Sequence, residues 1–347
     1  MRCARPLFAE SEAVTKPPHR CIRINVAVLF GILAAFITHL NAVMNSEPRD
    51  AAIILRGTRA ALTGQDPYAI VPGLAYPLPG LIVMTPWSLF SEPTGSVLFM
   101  FVSATAFAWA LMAQGYAPLL GFFSPGMLFA VQVAQWSPLF AAAFAIAPLG
   151  AFLIVKPHVG FATFVARPTW WAVAAAAGCT VVAFVLQPTW LLDWRASMAR
   201  GGVHLGQATG MYLYAAPVTL PGGVLVLAAL ARWRRPEARL LVALAIVPQS
   251  LHLYEIVPLA LIPRGWREAA LYLAGGHLAW WFLRGVPWSI YPQYLEASGK
   301  LYTLFVFLPV TMMVLRRPNA GAIPGWLDRR IAHWPAWLRG GAAPDAG

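Results

Sequence analysis

The sequence predicts an all-α membrane protein that crosses the bilayer many times, and three observations carry that prediction. Hydrophobic residues make up 59% of the 347 residues and charged ones only 11%, which is too little polar surface for a soluble domain. Mean hydropathy is +0.63, and it comes from continuous apolar runs, not from the alternating pattern of a membrane β-barrel. At ~20 apolar residues per crossing, these runs allow about ten to twelve helices, some of them short or broken. The formal net charge of +12 sits in arginine clusters beside the apolar runs, the pattern that sets orientation in a membrane. That argues against a nucleic-acid partner and for membrane lipids. Cys3, Cys21 and Cys179 have no paired spacing, so neither a disulfide framework nor a metal site is expected.

Residues 1–23 carry Arg2, Arg5, Lys16, Arg20 and Arg23 without an apolar core, and are expected to form a cytoplasmic tail. The transmembrane domain is expected over 24–316, with a cytoplasmic tail over 317–347. The run 24–44 is too long for a signal-peptide core, so it is an uncleaved first span that places the polar stretch 45–79 outside. Within that first outer loop, Ser46 or Glu47 can cap a helix with Pro48 in its first turn. Ala51, Ile54, Leu55, Thr58 and Leu62 then share one face, with Arg49, Arg56 and Arg59 on the other. This pattern predicts a helix lying in the membrane interface. Gly64 ends it, and Gln65-Asp66-Pro67-Tyr68 makes a turn.

A second span is expected from Tyr76-Pro77-Leu78-Pro79 to about Phe90, and a third over 95–113. The stretch 117–133 is broken at Ser124-Pro125-Gly126 and yields to a polar patch at Gln132, Gln135, Trp136 and Ser137. The runs 138–149 and 151–165 are full crossings or re-entrant halves. The span 169–186 then leads to a second outer loop, 188–215, with Trp190, Asp193, Trp194, Arg195, Arg200 and His204. The span 217–230 ends in Arg232, Arg234, Arg235 and Arg239, a cytoplasmic loop. The run 240–251 reaches an outer turn at His252-Leu253-Tyr254-Glu255, and 256–262 returns to Arg264 and Arg267. A span over 269–283, an outer loop over 285–298 and a last span over 301–315 complete the set. An amphipathic Trp/Arg-rich segment is expected over 326–339. No internal repeat is visible.

Asp50, Asp66, Asp193, Glu255 and Glu296 are the acids this topology gathers on the outer face. Asp50 stands where the first span leaves the bilayer, in the first turn of the amphipathic helix. A carboxylate there is favoured by the helix dipole by ~0.3–1 kcal/mol, and the same position keeps it ionised, as a general base must be. Lys156 is one of three lysines and the one embedded in an apolar run. Its burial costs at least ~2.5 kcal/mol, so it faces a polar cavity, a partner or a lipid phosphate, or else snorkels to an interface. Arg195 and Arg200 are loop charges or phosphate ligands on the outer face. His158 and His204 are not spaced as metal ligands. Trp190, Trp194, Trp288, Tyr291 and Tyr294 fit an interfacial aromatic belt first and sugar stacking second.

Taken in order, these motifs resemble a known family. They are Asp50 in the first outer loop, Leu62-Thr63-Gly64-Gln65-Asp66-Pro67-Tyr68, Tyr76-Pro77-Leu78-Pro79, Gln135-Trp136-Ser137-Pro138, Lys156-Pro157, and Tyr254-Glu255 ahead of Pro258. The chain resembles the integral-membrane GT-C glycosyltransferases, in particular the polyprenol-phosphate-mannose-dependent α-mannosyltransferase branch, glycosyltransferase family 87. The likeness runs from about Thr38 to Pro263. It implies a GT-C-like fold and an inverting transfer of a hexose, mannose above others, from a polyprenyl-phosphate donor to a lipid or glycan acceptor. The transfer is expected outside the cytoplasmic membrane, in cell-envelope assembly, without cofactor or metal. Asp50 falls at the place of the family's general base, and Lys156, Arg195, Arg200 and His204 are expected to meet the donor phosphate. Arg49, Asp66, Tyr68, Tyr76, Gln135, His158, His252, Tyr254 and Glu255 are expected to line the substrate pocket. The chain departs from relatives in Ala51-Ala52-Ile53-Ile54, where an aromatic is usual, in Glu255, where Asp is commoner, and in the missing loop near Leu149. A non-catalytic carrier or flippase of lipid-linked sugars, or an inactive relative serving as an assembly subunit, would use the same greasy groove and basic rim.

Overall fold

The computed structural model describes residues 19–45, 49–71, 74–204, 215–249, 251–287, 289, 291–321, 329–330, 332–335 and 339–340. For Asn45, Arg49, 201–204 and Tyr291 it describes the backbone alone. Every regular element among these residues is helical, with no strand. Among the described residues, three helices are long and apolar enough to cross a membrane: Arg20–Met44, Glu92–Gln114 and Pro292–Leu315. Two sharply bent pairs, Pro125–Gln132 with Ser137–Ala145 (116°) and Trp170–Leu186 with Trp190–Arg200 (92°), raise the number to five if each is one span.

The first long helix, α1 (Arg20–Asn45), holds the expected first span. After it α2 (Arg49–Leu62) is amphipathic as read, with Ala51, Ile54, Leu55 and Thr58 buried. What covers that face differs from the expectation of an interfacial helix. It is protein: α2 packs on α3 (Pro67–Ile70), α4 (Leu78–Ile82), α5 (Thr85–Ser88) and α6 (Glu92–Leu111). On its polar side, Arg56 and Arg59 pair with Glu92 at 2.8 and 3.2 Å, and Arg59 also donates to the Ser88 carbonyl at 2.9 Å. Leu62 alone of the predicted stripe is half exposed.

The expected second span is not one helix. Pro77, Pro79 and Pro86 each remove a backbone donor, and the segment divides into α4 and α5, of five and four residues. The third span appears as α6. The expected break at Ser124-Pro125-Gly126 also appears: Ser124 caps α7 (Pro125–Gln132), its Oγ accepting from the Met127 N–H at 3.3 Å. Beyond α7 comes α8 (Ser137–Ala145), buried from Ser137 to Ala143 and apolar all round, which marks a central helix. The run 138–165 becomes α8, a 3₁₀ stretch Ala147–Val155 and α9 (Pro157–Ala166). A 3₁₀ helix rises ~2.0 Å per residue, so these nine residues cover more depth than an α-helix of equal length.

Next, α10 (Trp170–Leu186) turns sharply into α11 (Trp190–His204), and a second 3₁₀ stretch, Gly223–Arg232, precedes α12 (Pro236–Ile246). The predicted outer turn at 252–255 is instead a short helix, α13 (His252–Glu255), with all four residues buried. After it come α14 (Trp266–Leu283), α15 (Tyr291–Tyr302) and α16 (Leu308–Leu315). The expected outer loop over 285–298 is thus largely helix, and the last candidate span begins at Pro292. Half of the amphipathic segment expected over 326–339 lies outside the described residues.

The arginine loops are bound to one another. Glu237 accepts from Arg235 at 2.9 Å, Arg264 at 2.8 Å and Arg317 at 3.4 Å. Arg317 also pairs with Glu268, and Arg239 donates to the Ala166 carbonyl at 2.9 Å. One buried carboxylate thereby ties α12 to the chain on either side of α14.

Candidate functional site

Four stretches far apart in the chain converge on one polar cluster inside an apolar body. Asp50 comes from the first turn of α2 and Gln135 from the bend between α7 and α8. Lys156 and His158 come from the start of α9, and Tyr254 and Glu255 from α13.

The bend explains how Gln135 is aimed. The Gln135 N–H reaches the Ala130 carbonyl at 2.7 Å and the Ala134 N–H reaches that of Val131 at 3.3 Å, the paired bonds of a Schellman ending. That ending needs a left-handed residue, usually Gly; here it is Ala134, with φ 49°, a conformation costing a side chain ~1–2 kcal/mol. Two carbonyls at the end of α7 also accept from α1: Thr38 Oγ1 donates to Val131 O at 2.8 Å and Asn41 Nδ2 to Gln132 O at 2.7 Å. Irregular backbone within an apolar body survives where its polar groups are matched in this way. Trp136, fully buried, packs edge-on against Phe99 at 4.7 Å and anchors the start of α8.

Gln135 is itself fully buried. Its Oε1 accepts the Trp136 N–H at 2.9 Å, so its Nε2 must face the other way, where it donates to Asp50 Oδ2. Beside this pair, Lys156 forms an ion pair with Glu255, whose side chain is completely enclosed. His158 Nε2 stands 3.4 Å from the same Glu255 oxygen, and the Lys156 ammonium lies 4.8 Å from the centre of the Tyr254 ring. Tyr254 is stacked in turn on Phe129 of α7. The half-buried Tyr76 joins the group, its hydroxyl within electrostatic reach of Asp50, Lys156, Tyr254 and Glu255. Asp50 and Lys156 are also within electrostatic reach of one another. The helices can close this tightly because Gly126 lets α7 meet α13: a Cβ there would come within 2.2 Å of the Leu253 carbonyl.

A second polar group lies next to the first. Asp66 caps α3 by accepting the Tyr68 N–H at 2.9 Å, and it also accepts from Gln187 Nε2 at 3.0 Å. Asp193 accepts from Thr189 at 2.6 Å and Gln187 at 2.8 Å. Trp194 Nε1 donates to Ala75 O at 2.8 Å and Arg200 to Tyr68 O at 3.3 Å. The two segments expected outside thus dock on each other, around a cleft of about 390 Å³ lined by Asp66, Tyr68, Ala69, Asp193, Ala196 and Arg200. Tyr68 links cleft and cluster, its hydroxyl donating to the Tyr76 carbonyl at 3.2 Å.

Of the residues singled out in the sequence, the cluster therefore gathers Asp50, Tyr76, Gln135, Lys156, His158, Tyr254 and Glu255. The cleft gathers Asp66, Tyr68 and Arg200. Arg195 is exposed, with no contact to either group among the described residues. His252 is buried against α15, its ring 3.0 Å from where a Cβ on Gly299 would stand, and it is within electrostatic reach of Glu255 in the cluster. Lys156, read as a phosphate ligand, has Glu255 as its counter-ion. The side chains of Arg49 and His204 lie outside the described residues. Among the described residues, no group of three or more His, Cys, Asp or Glu side chains is placed to hold a metal ion. No protein-family model, no curated protein and no solved structure matches the chain.

Proposed function

We propose that the protein is an inverting glycosyltransferase of GT-C type, with about ten to twelve crossings in all when the short and broken helices are counted at the usual span length. It moves a hexose, mannose in the first instance, from a polyprenyl-phosphate donor to a lipid or glycan acceptor at the outer face of the cytoplasmic membrane. The observation that supports this is the meeting of Asp50, Gln135, Tyr76, Lys156 and Glu255, from five of the six motif stretches, at a single place.

Asp50 takes the proton of the acceptor hydroxyl as that oxygen attacks the anomeric carbon. The bond between that carbon and the phosphate oxygen breaks, and polyprenyl phosphate leaves with the electron pair. Gln135 holds Asp50 Oδ2 and so fixes the plane of the carboxylate. An ammonium has three donors, so Lys156 can keep Glu255 and still meet the charge that grows on the leaving phosphate. Arg200, at the neighbouring cleft, supplies positive charge for the donor on arrival.

The test is turnover. Purified protein given polyprenyl-phosphate-mannose and a panel of lipid and glycan acceptors should release polyprenyl phosphate. Asp50→Asn should reduce that release by about 10²–10⁴-fold, the usual worth of a general base. Full turnover in the Asn variant removes Asp50 from the mechanism.

A further inference from the structure

We propose that the cleft between the N-terminal half of α1 and the C-terminal half of α6 holds one anionic phospholipid from the leaflet on Arg20's side. The cleft measures about 450 Å³ and is mostly apolar. On α1 its wall is made by Arg20, Ile24 and Val28, spaced four apart and so in line along one helix face. Val102, Ala106 and Trp109 face them from α6.

Its depth fits one leaflet. The deep end closes where α1 and α6 touch: a Cβ on Gly31 would stand 1.9 Å from Thr105 Oγ1 and 2.9 Å from the Phe101 carbonyl. From Arg20 to Gly31 the helix climbs about 16 Å at 1.5 Å per residue, close to half of the ~30 Å hydrocarbon core.

The mouth is built for a negative headgroup. Arg23 is engaged there, its Nε donating to Trp109 O at 3.0 Å and its guanidinium lying 3.9 Å above the Trp109 ring. That fixes the indole at the rim, the depth such rings favour. Arg20 is exposed one turn outward, at the level where a chain seated in the cleft presents its phosphate. A zwitterionic headgroup brings its own cation to that point, whereas an anionic one does not, so Arg20 selects the latter. This inference stands on the cleft alone and is independent of the transferase reading.

Native mass spectrometry of the purified chain, titrated separately with phosphatidylglycerol and phosphatidylcholine, tests it. The wild type should retain phosphatidylglycerol several-fold more than phosphatidylcholine. Arg20→Gln, at an exposed position, should bring the two to the same level. Ala106→Phe, which fills the cleft, should lower retention of both, with a thermal melt as the check on folding. Equal retention of the two lipids by the wild type, or an undiminished preference in Arg20→Gln, overturns the proposal. So does unchanged retention in a folded Ala106→Phe.

Discussion

Gln135→Leu isolates the part of the site that orients the base without touching the base itself. The leucine removes two interactions at once, the donation to Asp50 Oδ2 and the acceptance from the Trp136 N–H. A hydrogen bond to a charged group contributes about 1.5–3 kcal/mol. At about 1.4 kcal/mol per tenfold in rate, that is about 10- to 150-fold in kcat if the bond is needed in the transition state. The deficit should therefore fall below that of Asp50→Asn. Because the role is orientation, KM for the donor should hold within about twofold. A stability effect accompanies it: the buried Trp136 N–H left without an acceptor costs about 1–3 kcal/mol, so kinetics must be read well below a measured Tm. Gln135→Glu restores only one of the two interactions. It keeps an acceptor for Trp136 but sets a second buried carboxylate against Asp50, where like charges disfavour one another, so it should also melt below wild type and turn over no faster than the leucine variant. Polyprenyl phosphate released over time gives both constants. An unchanged kcat in Gln135→Leu, beside an inactive Asp50→Asn, would refute the claim that Gln135 positions the base.

Two further expectations concern charge inside the fold. Lys156→Ala leaves Glu255 enclosed without its main counter-ion, and breaking such a pair destabilises by about 3–5 kcal/mol. Lys156→Met with Glu255→Leu should recover most of that loss in a thermal melt, without recovering turnover; a double variant no more stable than the singles means that the two charges do not serve each other. The second concerns Glu237. Burial works to raise its carboxyl, but a backbone hydrogen bond and Arg264, Arg235 and Arg317 outweigh it and hold it below the ordinary 4.5. A carboxyl whose folded pKa is depressed contributes stability that is complete above the unfolded value and is lost as pH falls through the folded one. Melting temperature should therefore hold down to about pH 4.5 and fall below it. Glu237→Gln should melt lower at neutral pH and lose much of that acid dependence. Wild type and variant falling in parallel would assign the acid transition to other groups.

How much of this was legible in the sequence depends on what each signal measures. The helices α1 and α6 are plain because their apolar runs are long and no proline interrupts them beyond the first turn of α6. The same count of apolar residues over 76–90 overlooks Pro77, Pro79 and Pro86, which is why one expected span became two short helices. The stripe on α2 was readable, but its covering was not: lipid and protein are both apolar, and a pattern of hydrophobic residues does not say which will meet it. In α15, tyrosines, serine and charges read as loop, although Glu296 and Lys300, four apart and paired at 2.6 Å, are a helix signal present in the sequence. The left-handed Ala134 gave no sign at all, since alanine ordinarily marks a regular helix and glycine would have marked the turn.

The pairing of Lys156 with Glu255 shows a limit of reading residues singly. Lys156 is the lone full charge in the run 147–166, and Glu255 the lone one in 240–262. Each is expensive to enclose by itself, and intramembrane charges tend to pair with one another, so the simplest economy of the chain is that they meet. Motif resemblance gave them separate tasks, phosphate ligand and pocket wall; electrostatics joins them before any substrate arrives. The join bears on the chemistry. A lysine already balanced by a carboxylate attracts a resting phosphodiester weakly, and responds most when the leaving group gains charge, so its interaction is concentrated in the transition state. Attraction of the donor in its ground state then falls to positive charge not matched in this way. Arg200 is suited to it, because it lies exposed at the cleft and donates to the Tyr68 backbone carbonyl, not to an acid. Binding and chemistry would in that arrangement be assigned to different cations on different helices, one at the rim and one in the interior.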